Sequence, residues 1–229
     1  MKYKHILFDL DRTLWDFEKN AEQTFREIYT DYKLHLLFES FDSFLKTYRD
    51  INENLWHQYR EGKIEKEVLR YKRFNDTLKQ IGFENKTLAK KIGDDYVFNS
   101  PQKKALFPNA HHVLKYLSKK YILHIVTNGF KEVQKVKMKN TNIDIYFNHI
   151  FISEEIGFQK PHPEIFKHIL NKIQAKPSEC LMIGDDPEVD IIGAKNAGID
   201  QVLFNTTDKK VLQNPSYEIK DLSELKQIL

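Results

Sequence analysis

Apolar residues along the chain fall into two textures. Short runs with few polar positions occur at His5–Leu10, Ile122–Val126, Ile150–Ile152, Leu181–Ile183 and Gln201–Phe204. Runs this short and this apolar predict strands buried on both faces. Between the later runs the apolar positions recur at helical spacing, over Pro108–Lys119, Lys131–Asn140, Pro163–Ile173 and Glu188–Ala197, with a last segment near Asp221–Ile228. Pro108, Pro163 and Pro187 stand where a first helical turn would open, a position proline tolerates because no amide hydrogen is needed there. Strand and helix in alternation predict an α/β fold, a doubly wound and mostly parallel sheet covered on both faces.

Residues 16–100 break that rhythm. They hold almost no strand-like run, and their apolar side chains follow helical periodicity; within FDSFLKTYRDINENLWHQYR, Phe41, Phe44, Leu45, Tyr48, Ile51, Leu55 and Tyr59 share one face. Gly62, Gly82 and Gly93 punctuate several such helices. The expected organisation is a core of residues 1–15 and 101–229, interrupted after its first strand by an all-helical domain of residues 16–100. An insertion there is placed to close over whatever the first strand carries, with hinges expected near Trp15–Asn20 and Ser100–Leu106.

Composition narrows the class without naming it. The net charge of +3, from 36 basic and 33 acidic residues among 229, is spread without a basic tail, so nothing points to nucleic acid. A single cysteine, Cys180, excludes an intrachain disulfide, and no apolar run approaches the roughly 20 residues of a membrane span. The N-terminal MKYKHILFDLD turns acidic too soon for a signal peptide. A cytoplasmic protein, monomeric or homodimeric, is expected.

The chemistry is expected beyond the carboxyl ends of the strands, where ligands bind in open parallel sheets. After the first strand come Asp9, Asp11 and Thr13; after the second, Thr127-Asn128-Gly129; after the third, a loop with Lys160-Pro161; after the fourth, GDDPEVD with Asp185, Asp186 and Asp190. Acids from two strand ends make a hard-cation site, and oxygen ligands suit Mg²⁺. Asp9 is placed to attack phosphorus as a carboxylate nucleophile. Asp11, two residues on and on the same side if the strand continues, is placed to protonate a leaving oxygen and later to deprotonate water. A hydroxyl (Thr127), amides near Asn128 and Gly129, and the Lys160 ammonium would hold the phosphoryl oxygens.

Taken in order, DLDRT, VTNG, QKP and GDDPEVD resemble the four motifs of the haloacid dehalogenase (HAD) superfamily, and the resemblance spans the whole chain, including a helical cap inserted after the first motif. It implies that Mg²⁺ is held by the Asp9 carboxylate, the Asp11 backbone carbonyl and Asp185, with Asp186 and Asp190 supporting from behind. Dehalogenases of this fold lack the second motif-one aspartate, so Asp11 argues for phosphate chemistry. FDLDRTLWD, LWHQYREGKIEKEVLRYKRF and IGFQKPHPEIF are similar to the bacterial pyrimidine 5'-nucleotidase branch, which implies a nucleoside 5'-monophosphate as the small phosphorylated substrate. A sugar-phosphate phosphatase or phosphomutase shares all four motifs. A phospho-receiver domain fits less well, since its acceptor aspartate follows a middle strand, and an inactive binding module fits poorly because every motif residue is present. His111, His112 and Cys180 are read as surface and core residues rather than site residues. Trp15, which with Asp16 leaves the first strand toward the hinge, is read evenly as a pocket wall or as packing, and Arg70 and Arg73 are read as surface or packing groups ahead of a role in binding an anionic substrate group.

Overall fold

The structure, a computed structural model, describes residues 2–207, 212 and 214–229. The chain forms two compact units, one of residues 1–18 and 104–229, the other of residues 19–103.

The first unit is built on one six-stranded sheet: β1 (His5–Phe8), β2 (Ile122–Thr127), β3 (Phe147–Ile152), β4 (Cys180–Gly184), β5 (Asp200–Phe204) and β6 (Tyr217–Ile219). Every pairing is parallel, in the order β3-β2-β1-β4-β5-β6. β1 lies in the middle, with His5–Phe8 in register with Ile122–Ile125 on one side and Cys180–Ile183 on the other. The strand order therefore reverses beside β1, which is where an open α/β sheet leaves a crevice at its carboxyl edge. Successive side chains of β1 serve opposite faces. Ile6 and Phe8 join a core with Leu123, Ile125, Leu181, Ile183 and the buried face of α5 (Ala110–Leu117), whereas Leu7 packs with Val126, Met182 and α7 (Pro163–Ile173).

Three elements differ from the sequence expectation. β1 stops at Phe8 rather than Leu10, because the chain curls: Arg12 has φ 64°, and the Leu14 and Trp15 amides both donate to the Leu10 carbonyl. The segment expected as a helix over Glu188–Ala197 opens as a π-turn, Pro187–Ile192, followed by the short α8 (Gly193–Asn196), with the Asp186 carboxylate accepting from the Glu188 and Val189 amides. Pro108 precedes its helix rather than opening it, since Asn109 takes φ 66° before α5 begins. Cys180 is fully buried, and burial pushes its thiol up to about 12, while His111 and His112 are exposed on α5. Across β1–β3 a row of imidazoles, His5, His124 and His149, stacks ring on ring, and only the middle one is fully buried.

The second unit is helical: most of α1 (Phe17–Asp31), then α2 (Phe41–Arg60), α3 (Lys66–Gln80) and α4 (Lys86–Asn99). Ser40 caps α2 by accepting from the Ser43 amide at 3.0 Å, and Asn85 caps α4 by accepting from Leu88 at 2.9 Å. The core is aromatic. Phe25 of α1 meets Phe44, Tyr48, Phe74 and Tyr96, one or more from each other helix. Arg73 is buried with its guanidinium over the Phe74 and Tyr96 rings, and Arg70 faces Asp94 at 3.8 Å. Among the described residues no helix is long and apolar enough to cross a membrane.

Candidate active site

The site grows from the carboxyl end of β1. The Asp9 amide donates to the Ile183 carbonyl at 2.9 Å, one step past the ladder, which fixes the backbone from which its side chain projects. One Asp9 oxygen accepts from the Lys160 ammonium at 2.6 Å. That ammonium also donates to Asp190 at 2.6 Å and to the Val126 carbonyl at 2.7 Å, so all three of its hydrogens are used. Lys160 and Asp190 are each 1% exposed and Asp9 7%. Burial works against the charged amine, but Asp190 and Asp9 outweigh it and hold the Lys160 pKa above its ordinary value. Burial, with Asp190 close by and Lys160 opposing, raises Asp9 to about 7.

Lys160 is held by its backbone as well as its side chain. The Asn128 amide group donates to the Lys160 carbonyl and accepts from the Lys160 N–H, both at 2.8 Å, and the Lys160–Pro161 peptide is cis. Gly184 makes the room for Asp190, since a Cβ there would stand 2.2 Å from its Oδ2.

The Asp9, Asp185 and Asp190 carboxylates offer oxygens that all lie within 4.8 Å of one another. Burial and then the charges of Asp9 and Asp190 push Asp185 well above the usual carboxylate range. Three carboxylates against one Lys160 ammonium leave two net negative charges. That is the complement of a divalent cation, and an all-oxygen donor set suits a hard one. Arg12 also bears on Asp185, though its guanidinium is already paired with Glu18 at 2.9 Å. The residues present therefore fit a divalent metal. Asp186 spends one oxygen capping the π-turn, and its backbone N–H donates to Asp190 at 3.2 Å. Thr13, fully buried, donates to Asp185 at 3.4 Å.

Asp11, like Asp9 beyond the end of β1 at Phe8, is held by other partners. Its Oδ1 accepts from Lys137 at 2.6 Å and its Oδ2 from Gln134 at 2.8 Å, both on α6 (Lys131–Asn140). Gln134 also donates to the Thr127 hydroxyl at 2.6 Å, which accepts again from the Gly129 amide at 3.1 Å. Burial lowers the Lys137 pKa, with Asp11 acting against that shift. Trp15 is fully buried in the sheet core beneath the Lys137 ammonium, 4.2 Å from ring centroid to nitrogen. The structure thus brings Asp9, Lys160, Asp185 and Asp190 together and links Asp11 to Thr127 through Gln134. Gln134 and Lys137 escaped the sequence reading. The one signal was their spacing with Met138, positions i, i+3 and i+4 of the buried face of α6, where Gln and Lys are out of place.

Comparison with known proteins gives the family. Residues 3–198 match the model of the haloacid dehalogenase-like hydrolases, and the chain belongs to that family of enzymes. The crystal structure of the HAD-hydrolase YfnB from Bacillus subtilis, bound to magnesium and revealing interdomain movement in that protein, superposes with a TM-score of 0.92 at 30% identity, covering 100% of this chain and 99% of that one. The pyrimidine 5'-nucleotidase YjjG of Escherichia coli is 29% identical over 100% of this chain and 99% of its own length. Glyceraldehyde 3-phosphate phosphatase of Methanothermobacter thermautotrophicus is 30% identical over 99% of both.

Proposed function

We propose that this hydrolase releases phosphate from small phosphomonoesters, nucleoside 5'-monophosphates foremost, by two displacements at Asp9. In the first, an Asp9 oxygen bonds to phosphorus, the ester P–O bond breaks and Asp11 gives the departing oxygen its proton. In the second, Asp11 takes a proton from water, whose oxygen displaces the Asp9 carboxylate and frees inorganic phosphate. The Thr127 hydroxyl and the amides near Asn128 and Gly129 hold the phosphoryl oxygens, joined by Lys160 as the Asp9 carboxylate bonds to phosphorus and releases one ammonium hydrogen. Mg²⁺, held by Asp9, Asp185 and the Asp11 carbonyl, supplies positive charge that offsets the charge gathered on the phosphoryl group. Asp186 and Asp190 act from behind, Asp190 by keeping Lys160 in place. The single cysteine, buried as a thiol, supports a reducing, cytoplasmic setting.

One observation carries the reading: Asp9 and Asp11, two residues apart, are held by separate partners, an ammonium shared with Asp190 for one and an α6 clamp for the other. A nucleophile and a proton carrier need such different surroundings. The likeness to YjjG across the whole chain, joined to the LWD and REGKIEKE stretches, favours a nucleotide over a sugar phosphate. A panel of nucleoside monophosphates and sugar phosphates with Mg²⁺, read by phosphate release, tests it. UMP or dUMP should lead, and Asp9→Asn should lose at least about 1,000-fold in turnover. Activity that survives Asp9→Asn would sink the mechanism, and sugar phosphates leading the panel would sink the substrate assignment.

A further inference from the structure

Two α6 side chains outside the four family motifs grip Asp11 by both oxygens, and their surroundings show what the grip is for. Lys137 is only 4% exposed, and its one ion pair among the described residues is with Asp11. Burying an ammonium is costly unless its geometry is well determined. Here the Trp15 ring lies against it on one side, at 4.2 Å, and the Asp11 carboxylate receives it on another, at 2.6 Å. The Asp11 side chain keeps 22% exposure, so the group held is buried on one side and open on the other.

Gln134 adds a second hold with a defined sense. Its amide faces a carboxylate, so the NH₂ end must point to Asp11; the flipped amide would set oxygen against oxygen. One N–H goes to Asp11 and the other to Thr127, while the Gln134 Oε1 is buried with no partner. An orphaned buried carbonyl is costly, and the position bears that cost to keep both donors in place. Gly129 belongs to the same arrangement, because a Cβ there would stand 2.3 Å from the Gln134 Nε2. Thr127 then accepts twice, from Gln134 and from the Gly129 amide, and a hydroxyl has two lone pairs and one hydrogen. Its hydrogen is therefore the part left to meet a ligand oxygen, and nothing among the described residues accepts it.

We propose that Lys137 and Gln134 are positioning residues: Lys137 sets the rotamer from which Asp11 exchanges protons, and Gln134 locks that rotamer to a donor-only Thr127. Proton carrier and phosphate cradle are thereby set by one helix face, so a phosphoryl group seated on Thr127 is in register with Asp11. The inference rests on the assignment of Asp11 as acid and base given above.

The test compares two leaving groups in the same enzyme sample, so that any misfolded fraction cancels in the ratio. A nucleoside 5'-monophosphate needs its leaving oxygen protonated, whereas 4-nitrophenyl phosphate departs as a stable phenolate. With Mg²⁺ present, Lys137→Met should lower kcat on the nucleotide by about 100-fold and on the aryl ester by less than about 10-fold, the gap being the general-acid contribution. KM should stay within about threefold, because Lys137 does not face the phosphate. Lys137→Arg should restore most of the ratio. Gln134→Leu should shift the ratio the same way and also raise KM for both esters, since it frees Thr127 as well. Asp11→Asn is run beside them. If it shifts the ratio and Lys137→Met does not, or Lys137→Met slows both esters equally, the positioning role is wrong and the Asp11 assignment stands. If Asp11→Asn leaves the ratio unmoved, the assignment itself fails and the inference falls with it.

Discussion

The two units solve the problem of burial in opposite ways. At the carboxyl edge of the sheet the chain encloses Asp9, Lys160 and Asp190, three charges at 2.6 Å contacts, and gives up water to do so. In the helical unit it encloses rings around Phe25 and lets Arg73 lie on ring faces, with no carboxylate paired to it among the described residues. Charges buried in a cluster depend on one another, because each is tolerable only while its partners stay. Rings depend on volume alone, and neighbours can shift to fill part of a gap. The contrast locates precision in one unit and adaptability in the other.

The largest effect should come from Lys160→Met, which leaves two buried carboxylates facing each other without a cation. It should cost about 3–5 kcal/mol in urea unfolding and abolish phosphate release. A cost no greater than that of a surface change would break the comparison at once. Phe25→Ala should cost a comparable 3–5 kcal/mol or about that, as a cavity, but locally. Hydrogen exchange should quicken in α2–α4 while the β1 and β4 amides keep their protection.

Paired glycine substitutions sharpen the contrast at smaller cost. Gly184→Ala pushes a methyl to 2.2 Å from the Asp190 carboxylate and should cost about 1–3 kcal/mol together with much of the activity. Gly93→Ala, whose Cβ would meet the Arg70 carbonyl at 3.1 Å and Phe74 at 3.4 Å, should change stability by less than about 1 kcal/mol, since the gain in helix propensity offsets the crowding.

A pH-dependent effect belongs to the imidazole row. Burial, followed by the neighbouring His5 and His149, pulls His124 down to about 3, so it stays neutral in the folded protein through mild acid. The unfolded chain takes up that proton below about pH 6.5. Stability should therefore be unaffected by His124 above that point and decline as pH falls from about 6.5 towards 3, by at most about 1.4 kcal/mol per unit for one proton. Urea midpoints at pH 7, 6, 5 and 4 should fall less steeply for His124→Phe than for the native chain.

Much of this was legible before any coordinates. Lys131–Asn140 and Pro163–Ile173 form helices at the bounds their periodicity predicts, because each has a clear stop. The strand ends that carry Asp9, Lys160 and Asp185 do converge beside β1, as alternation of strand and helix implies. What stayed hidden has physical reasons. β6 has three residues, two of them exposed, and leaves no apolar run to see. The π-turn is a widening of the helical ladder that no residue period encodes, set instead by the Asp186 cap. The curl after Asp11, with φ 64° at Arg12, is one that the side-chain pattern does not announce. Gln134 and Lys137 are buried in α6 while the valines beside them, Val133 and Val136, are only half-buried, an inversion that residue polarity does not announce.

The chain leaves the sheet unit after Glu18 and returns at Lys104, and on the sheet side the departing and returning stretches are laced together. Asp16 N–H meets the Ala105 carbonyl at 3.1 Å, Phe107 N–H meets that of Leu14 at 2.9 Å, and Trp15 bridges Leu106 antiparallel. The helical segment is therefore a parenthesis, opened and closed at one point of the sentence around it. Doubling the length of such an excursion costs only about 0.6 kcal/mol in closure entropy. A lineage can lengthen, shorten or exchange that clause without rewriting the lines that carry the chemistry.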